Sequence, residues 1–300
     1  MTVESPRHRA WTQLMRHHLA RTSLIFLAVL LVLSLCAPLI ADLRGIDPSA
    51  TDLFRRFEPP SAEHWLGTDD LGRDLFQRLL DGGRVSLLVG LSGAVLSAVL
   101  GALIGVLAGY LGGRLDSFLM RLTDGVISLP LLPLLIVLAA IDPRKIGIPA
   151  EIAQSETFSL YRIVVIVALT GWTTVARLVR AETLSLKARD FTRAARALGA
   201  RPGRIMFRHI LPNAAGSLVV ATTMSVGALI LFESTLSFLG LGTQPPAASW
   251  GNMLTGAQEL LQQAPMLALW PGLLIFLTVI AFNFVGDGLQ DALDPRSERR

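Results

Sequence analysis

Asp190-Phe-Thr-Arg-Ala-Ala-Arg-Ala-Leu-Gly199, followed by Arg208-His-Ile-Leu-Pro-Asn213, is a basic, amphipathic stretch punctuated by glycine and proline. It lies between two apolar runs. Phe191, Ala194, Ala195 and Leu198 fall at i, i+3, i+4 and i+7, which on a helix makes a narrow apolar stripe with small residues in its middle. Arg189, Arg193 and Arg196 lie off that stripe. Gly199 suits a left-handed helix end, and Pro202 suits a helix start. Pro212 stops the second helix before the next apolar run. The spacing predicts two short helices crossing below a membrane. Such a segment is either a handle gripped by something in the cytosol or an ordinary interfacial helix drawn to anionic lipid.

The apolar runs around it set the fold class. The chain has 300 residues, of which 52% are hydrophobic and only 17% charged. Its apolar residues are clumped rather than periodic. Runs of about 20 apolar residues match about 30 Å of hydrocarbon at about 1.5 Å per residue. Six spans are expected, near Thr22–Ala41, Val85–Leu111, Leu115–Ile141, Ser159–Val179, Ala214–Phe232 and Ala264–Val285. The expected fold is an all-α polytopic membrane protein. The first run is too long for a secretory signal core and reads as a retained anchor. Cys36, the single cysteine, lies in that run and reads as a small buried hydrophobe.

Basic flanks set the expected direction. Residues 1–21 carry four Arg and one acid, and 177–213 carry nine basic residues against two acids. Residues 233–263 carry no basic residue. Arg296, Arg299 and Arg300 close the chain. With six spans, both termini and the 177–213 loop fall on the cytoplasmic face. The layout is a cytoplasmic segment (1–21), a first span (22–41) and an external loop with a short amphipathic helix (42–84). A five-span core (85–285) follows, including the cytoplasmic loop 180–213, and then a cytoplasmic tail (286–300). In the external loop, Leu71, Leu75, Phe76, Leu79 and Leu80 recur at helical spacing. Thr68 or Asp69 would cap that helix and Gly82-Gly83 would end it. It would lie on the outer membrane surface or on the protein's own outer side.

Two spans carry further features. Ser97, Gly101, Gly105 and Gly109 recur at every fourth position, beside a stripe of Ser86, Gly90, Ala94 and Ala98. Small residues at this spacing let helix backbones approach closely. Gly101, Gly105 and Gly109 therefore pack either within the chain or across a subunit interface. The third span opens with Asp116, Arg121 and Asp124, where Arg121 and Asp124 can pair on one helix face. That pair would be a structural clamp or, less simply, a proton relay. Pro130 and Pro133 should kink this span.

No Gly-rich loop leads to Lys-Ser or Lys-Thr: the two lysines, Lys145 and Lys187, stand in other contexts. The five histidines are scattered. No catalytic residue, metal site or cofactor site is expected in this chain. The basic balance sits beside apolar spans, so it speaks for membrane orientation rather than nucleic acid.

Ala194-Ala195-x-x-x-Gly199 with Ile210-Leu211-Pro212 resembles the cytoplasmic signature loop of ATP-binding cassette (ABC) importer permeases. His64-Trp-Leu-Gly-Thr-Asp-Asp-Leu-Gly-Arg-Asp74, Leu239-Gly-Leu-Gly-Thr-Gln-Pro-Pro246 and Ser249-Trp-Gly251 are similar to the second permease of dipeptide and oligopeptide importers, the DppC/OppC type. So is the tail Gly286-Asp-Gly-Leu-Gln-Asp-Ala-Leu-Asp-Pro-Arg296. The resemblance spans about residues 20–296 and implies a type I importer permease of MetI-like fold in a bacterial inner membrane. It implies that Phe191, Arg193, Ala194, Ala195, Leu198, Gly199, Ile210, Leu211 and Pro212 belong to a loop that docks on an ATPase subunit. Arg193 stands where the family usually has an acid. The resemblance also implies a second permease subunit, two ATPase subunits that bind ATP and Mg, and an external substrate-binding protein. The implied cargo is a peptide, with nickel chelates, glutathione and oligosaccharides carried by relatives. The competing class is a secondary transporter driven by an ion gradient, which would want paired ionisable residues near the midplane. A structural membrane anchor is a third reading.

Overall fold

In the computed structural model, residues 6–153 and 155–293 are described, and among them only helices, turns and one isolated bridge occur. Arg296, Arg299, Arg300 and the end of the tail motif lie outside the described residues. The helices are α1 (Pro6–Arg16), α2 (His18–Leu35), α3 (Ala37–Arg44), α4 (Leu75–Leu111), α5 (Gly113–Ser128), α6 (Leu131–Ala140) and α7 (Ala150–Ala153). After them come α8 (Glu156–Lys187), α9 (Asp190–Ala197), α10 (Pro202–Ile205), α11 (Ala215–Phe238), α12 (Ala257–Leu260) and α13 (Met266–Leu293). Five are long and apolar enough to cross a membrane, and α5 with α6 makes a sixth span if taken together.

The helix α4 is the axis of the bundle. Its 37 residues exceed what hydrocarbon requires, since about 20 residues already span about 30 Å. The expected separate outer helix is in fact the first turns of α4. Its cap is Asp74, whose carboxylate accepts from Gln77 N at 2.7 Å, rather than Thr68 or Asp69. Gly82-Gly83 does not end the run. A Cβ on Gly82 would lie 3.1 Å from the Ser249 backbone, and one on Gly83 would lie 2.6 Å from Ser34 Oγ and 3.0 Å from the Trp250 ring. These glycines make room for Trp250. Leu75, Leu79 and Leu80 are buried, so this segment packs on the protein's own side, not on the membrane surface.

The glycine ladder on α4 meets α8 of the same chain. A Cβ on Gly101 would lie 2.6 Å from Val175 Cβ, and one on Gly109 would lie 2.8 Å from Thr183 Cβ. Ser97 Oγ donates to Ala168 O at 3.3 Å on the same face. These positions are occupied within the chain and offer no face to a second subunit. The adjacent stripe turns to α11: Gly90 meets Ile230, and Ser86 meets Glu233. Close backbone approach replaces the hydrophobic drive that lipid cannot supply. Ile163, Val167, Val89, Leu229, Ile230 and Trp250 form the fully buried centre.

The third span breaks by 89° between α5 and α6, at Leu129-Pro130. Pro130 caps α6, while Pro133 sits in its first turn without a second kink. The first span breaks at Cys36, after α2. The fourth extends to Lys187 and the fifth to Phe238, each beyond the apolar run. Helices continue past their apolar limits because caps and neighbours, not hydropathy, end them.

Candidate coupling surface

The segment after α8 is built as a base and a tip. At the base, Lys187 Nζ donates to Tyr110 O at 2.6 Å and lies over the Tyr110 ring. Thr192 is fully buried, and its hydroxyl donates to Leu186 O at 2.8 Å, tying α9 back to the end of α8. Ile205, Met206 and Ile210 are buried against Val106, Tyr110, Val175 and Val179. Met206–Ile210 is a π-turn, which rotates Met206 and Ile210 inward together. Ile210 therefore anchors the segment instead of presenting a docking side chain, while Leu211 is half-buried and Pro212 exposed.

The tip is α9 and the turn after it. Phe191 is 40% exposed and Leu198 is 88% exposed; Arg193, Ala194 and Gly199 are exposed and Ala195 is half-buried. Gly199 has φ 80°, and nothing lies within 4 Å of where its Cβ would be. Gly199 N bonds Arg196 O at 3.0 Å and Ala200 N bonds Ala195 O at 3.1 Å, closing the helix end. Pro202 opens α10. Phe207, 50% exposed, adds an apolar residue that the sequence spacing did not single out. Arg193 pairs with Asp190 at 2.8 Å on a fully wetted surface, a contact of small energetic weight.

The base reaches the other spans through charges. Arg180 makes two 2.6 Å bonds to Asp116 of α5, and Arg177 meets Asp124 at 2.5 Å. Glu182 accepts from Ser217 of α11 at 3.0 Å. The expected Arg121–Asp124 pair does not form. Neighbouring α8 brings Arg177 alongside, and the cross-helix partner takes the carboxylate. These ions sit beside the 177–213 segment, not in paired clusters at a helix midpoint. Among the described residues no group of His, Cys, Asp and Glu could hold a metal ion.

At the other end of the bundle, a loop folds over α4. Trp250 is fully buried and its indole N–H donates to Leu79 O at 3.0 Å. Glu233, also fully buried, accepts from Ser237 at 2.7 Å and Ser86 at 2.9 Å. Arg44 grips Asp74 through two bonds of 3.1 and 3.2 Å while lying over Trp65. His64 Nδ1 shares the Asp74 carboxylate at 3.0 Å. His64 and Asp74 of the first motif and Trp250 of the second are thus fold-holding groups on this face.

Residues 101–299 match the family described as binding-protein-dependent transport system inner membrane component. The chain belongs to that family. Residues 5–60 match the N-terminal transmembrane domain of oligopeptide transport permease C. The oligopeptide transport system permease protein OppC of Bacillus subtilis is 37% identical over 278 residues, covering 93% of this chain and 86% of that protein. The glutathione transport system permease protein GsiD of Shigella flexneri is 41% identical over 294 residues, covering 98% and 92%. A solved inward-facing structure of the MetNI methionine ABC transporter aligns with TM-score 0.57 at 21% identity, covering 72% of this chain and 96% of the other. That likeness fixes the MetI-like permease fold. The chain is an inner-membrane transport component.

Proposed function

We infer that this permease subunit carries peptides inward as part of an ABC importer. Separate ATPase subunits drive it, and an external binding protein delivers the cargo. The observation that carries this reading is the exposed apolar tip of α9 on a buried base. The Leu198 side chain is 88% exposed, and the base links it to α4, α5 and α11. An ATPase that pulls on the tip would move three spans at once. Residues 190–200 and both termini then lie in the cytoplasm, and the 42–74 and 239–265 segments face outside. The oligopeptide relative, 37% identical, favours a peptide cargo; glutathione, itself a peptide-like molecule, is the alternative named by a relative 41% identical.

Reconstituted vesicles containing the companion subunits test this. Uptake of a short peptide that requires ATP supports the reading. Uptake driven by an ion gradient alone, without ATPase subunits, overturns it in favour of a secondary transporter. Absence of any uptake in a complete, ATP-hydrolysing complex overturns the transport role.

A further inference from the structure

The loop over α4 borders a partly open cavity of about 360 Å³ that none of the coupling elements uses. Its wall carries Asp70, Arg73, Arg78, Thr243 and Gln244. Arg78 is 7% exposed. Among the described residues its one ion pair is from Nε to Asp69 at 3.2 Å, a carboxylate that also serves Arg73 at 2.8 Å. Arg78 also lines a second cavity beside Asp81. Thr243 is 3% exposed, and its hydroxyl lacks a partner among the described residues. Leaving a buried polar group unpaired is unfavourable. That orphaned hydroxyl, on one cavity wall with Arg78, marks a place where something else completes the bonding.

The charges define what completes it. Asp69, Asp70, Arg73 and Arg78 sum to zero, so the cavity favours no net ion. Within that balance the signs are separated. Asp69 is shared by both arginines, and Arg78 has more donors than this one carboxylate contact uses. Asp70, with a side chain 46% exposed, meets Arg73 only at 3.8 Å and remains a free acceptor. Guanidinium forks bind carboxylates through paired donors, and carboxylates bind ammonium groups. The volume falls in the usual range for small-ligand pockets, about 300–1,000 Å³.

We propose that this cavity binds a small zwitterion, a free amino acid or short peptide, with its carboxylate on Arg78 and Thr243 and its ammonium on Asp70. The site is assigned from its own geometry and does not depend on the importer reading. A ligand here would strap the 239–256 loop to the first turns of α4, because the wall draws on both.

The full chain in lipid nanodiscs is titrated calorimetrically with dialanine, N-acetyl-dialanine and dialanine amide. The zwitterion gives saturable binding, and each capped form binds about tenfold more weakly, the loss of one charged anchor of about 1.4 kcal/mol. Thr243→Val weakens dialanine about threefold and Asp70→Asn about tenfold, neither altering the fold, because the Thr243 hydroxyl is unbonded and Asp70 is a half-exposed group that meets Arg73 only at 3.8 Å. Asp70→Asn leaves N-acetyl-dialanine affinity unchanged, which a merely structural role would not do. Arg78→Gln abolishes binding of both free-carboxylate ligands, with size-exclusion behaviour reporting whether it folds. No saturable heat up to about 10 mM dialanine, which marks binding weaker than about 3 kcal/mol, overturns the proposal. Equal affinity for N-acetyl-dialanine and dialanine overturns the zwitterion and leaves a simple carboxylate site. Unchanged affinity in Thr243→Val and Asp70→Asn places the ligand elsewhere and overturns the proposal as well.

Discussion

Replacing Gly105 by alanine should destabilise the chain, while the same change at Gly125 should not. A Cβ on Gly105 would stand 2.5 Å from Ala176 O, 2.8 Å from Val179 Cβ and 2.9 Å from Arg180 N. Carbon contacts settle near 3.5–4.0 Å, so α4 and α8 would have to separate by about 1 Å over this turn. Two of the opposing atoms are backbone and cannot rotate away. Overpacking of this kind costs about 1–3 kcal/mol. Alanine regains about 1 kcal/mol of helix propensity, so the net loss at Gly105 is about 0–2 kcal/mol. At Gly125, nothing lies within 4 Å of the added methyl. There the propensity gain stands alone, and stability rises by about 0.5–1 kcal/mol. Reversible unfolding of both variants in the same detergent micelles, measured by circular dichroism, gives the difference directly. Equal stabilisation by the two substitutions would refute the close α4–α8 contact, and with it the assignment of the glycine ladder to packing within the chain.

Leu198→Asp should abolish ATP-driven uptake with stability changed by less than about 0.5 kcal/mol, because an exposed side chain holds nothing in its own fold; purification of the complex with and without the companion ATPase subunits checks the cause. Asp116→Arg and Arg180→Asp should each reduce uptake, and the double swap should restore much of it, since the pair makes two 2.6 Å bonds across α5 and α8. A double swap worse than either single change would remove the linkage assigned to that pair. Trp250→Ala should cost about 3–5 kcal/mol, as a fully buried ring with a satisfied indole N–H is lost; a smaller loss in thermal unfolding would mean that the 249–251 loop is not fixed to α4.

The spans were legible because hydrocarbon imposes one length and one polarity on them, and periodicity marked the α9 stripe for the same elementary reason. Gly199 and Pro202 carried their helix-end and helix-start roles in the sequence because backbone dihedrals restrict those positions to few residue types. What the sequence hid was partnership at a distance. Gly82-Gly83 reads as a breaker, yet its purpose is Trp250, nearly 170 positions away in the chain. Arg121 and Asp124 are suitably spaced, but α8 supplies a better-placed guanidinium. Ile210 belongs to the same motif as the exposed tip, and only the π-turn reveals that it points inward. Thr192, Tyr110 and Lys187 were unmarked, since a hydroxyl on a helix end or a lysine near a span gives no periodic signal. Thr243 was equally silent because an unpaired group is defined by what fails to lie beside it.

The central claim is that α9 is the handle by which an ATP-driven partner moves the spans. A photo-reactive benzoylphenylalanine at position 191, introduced in intact cells and activated by light, tests it most directly. The account predicts a single dominant adduct with an ATP-binding subunit, lost when Leu198 is changed to aspartate. An adduct with an external protein, or none with any ATP-binding protein in a complex that still transports, would contradict it.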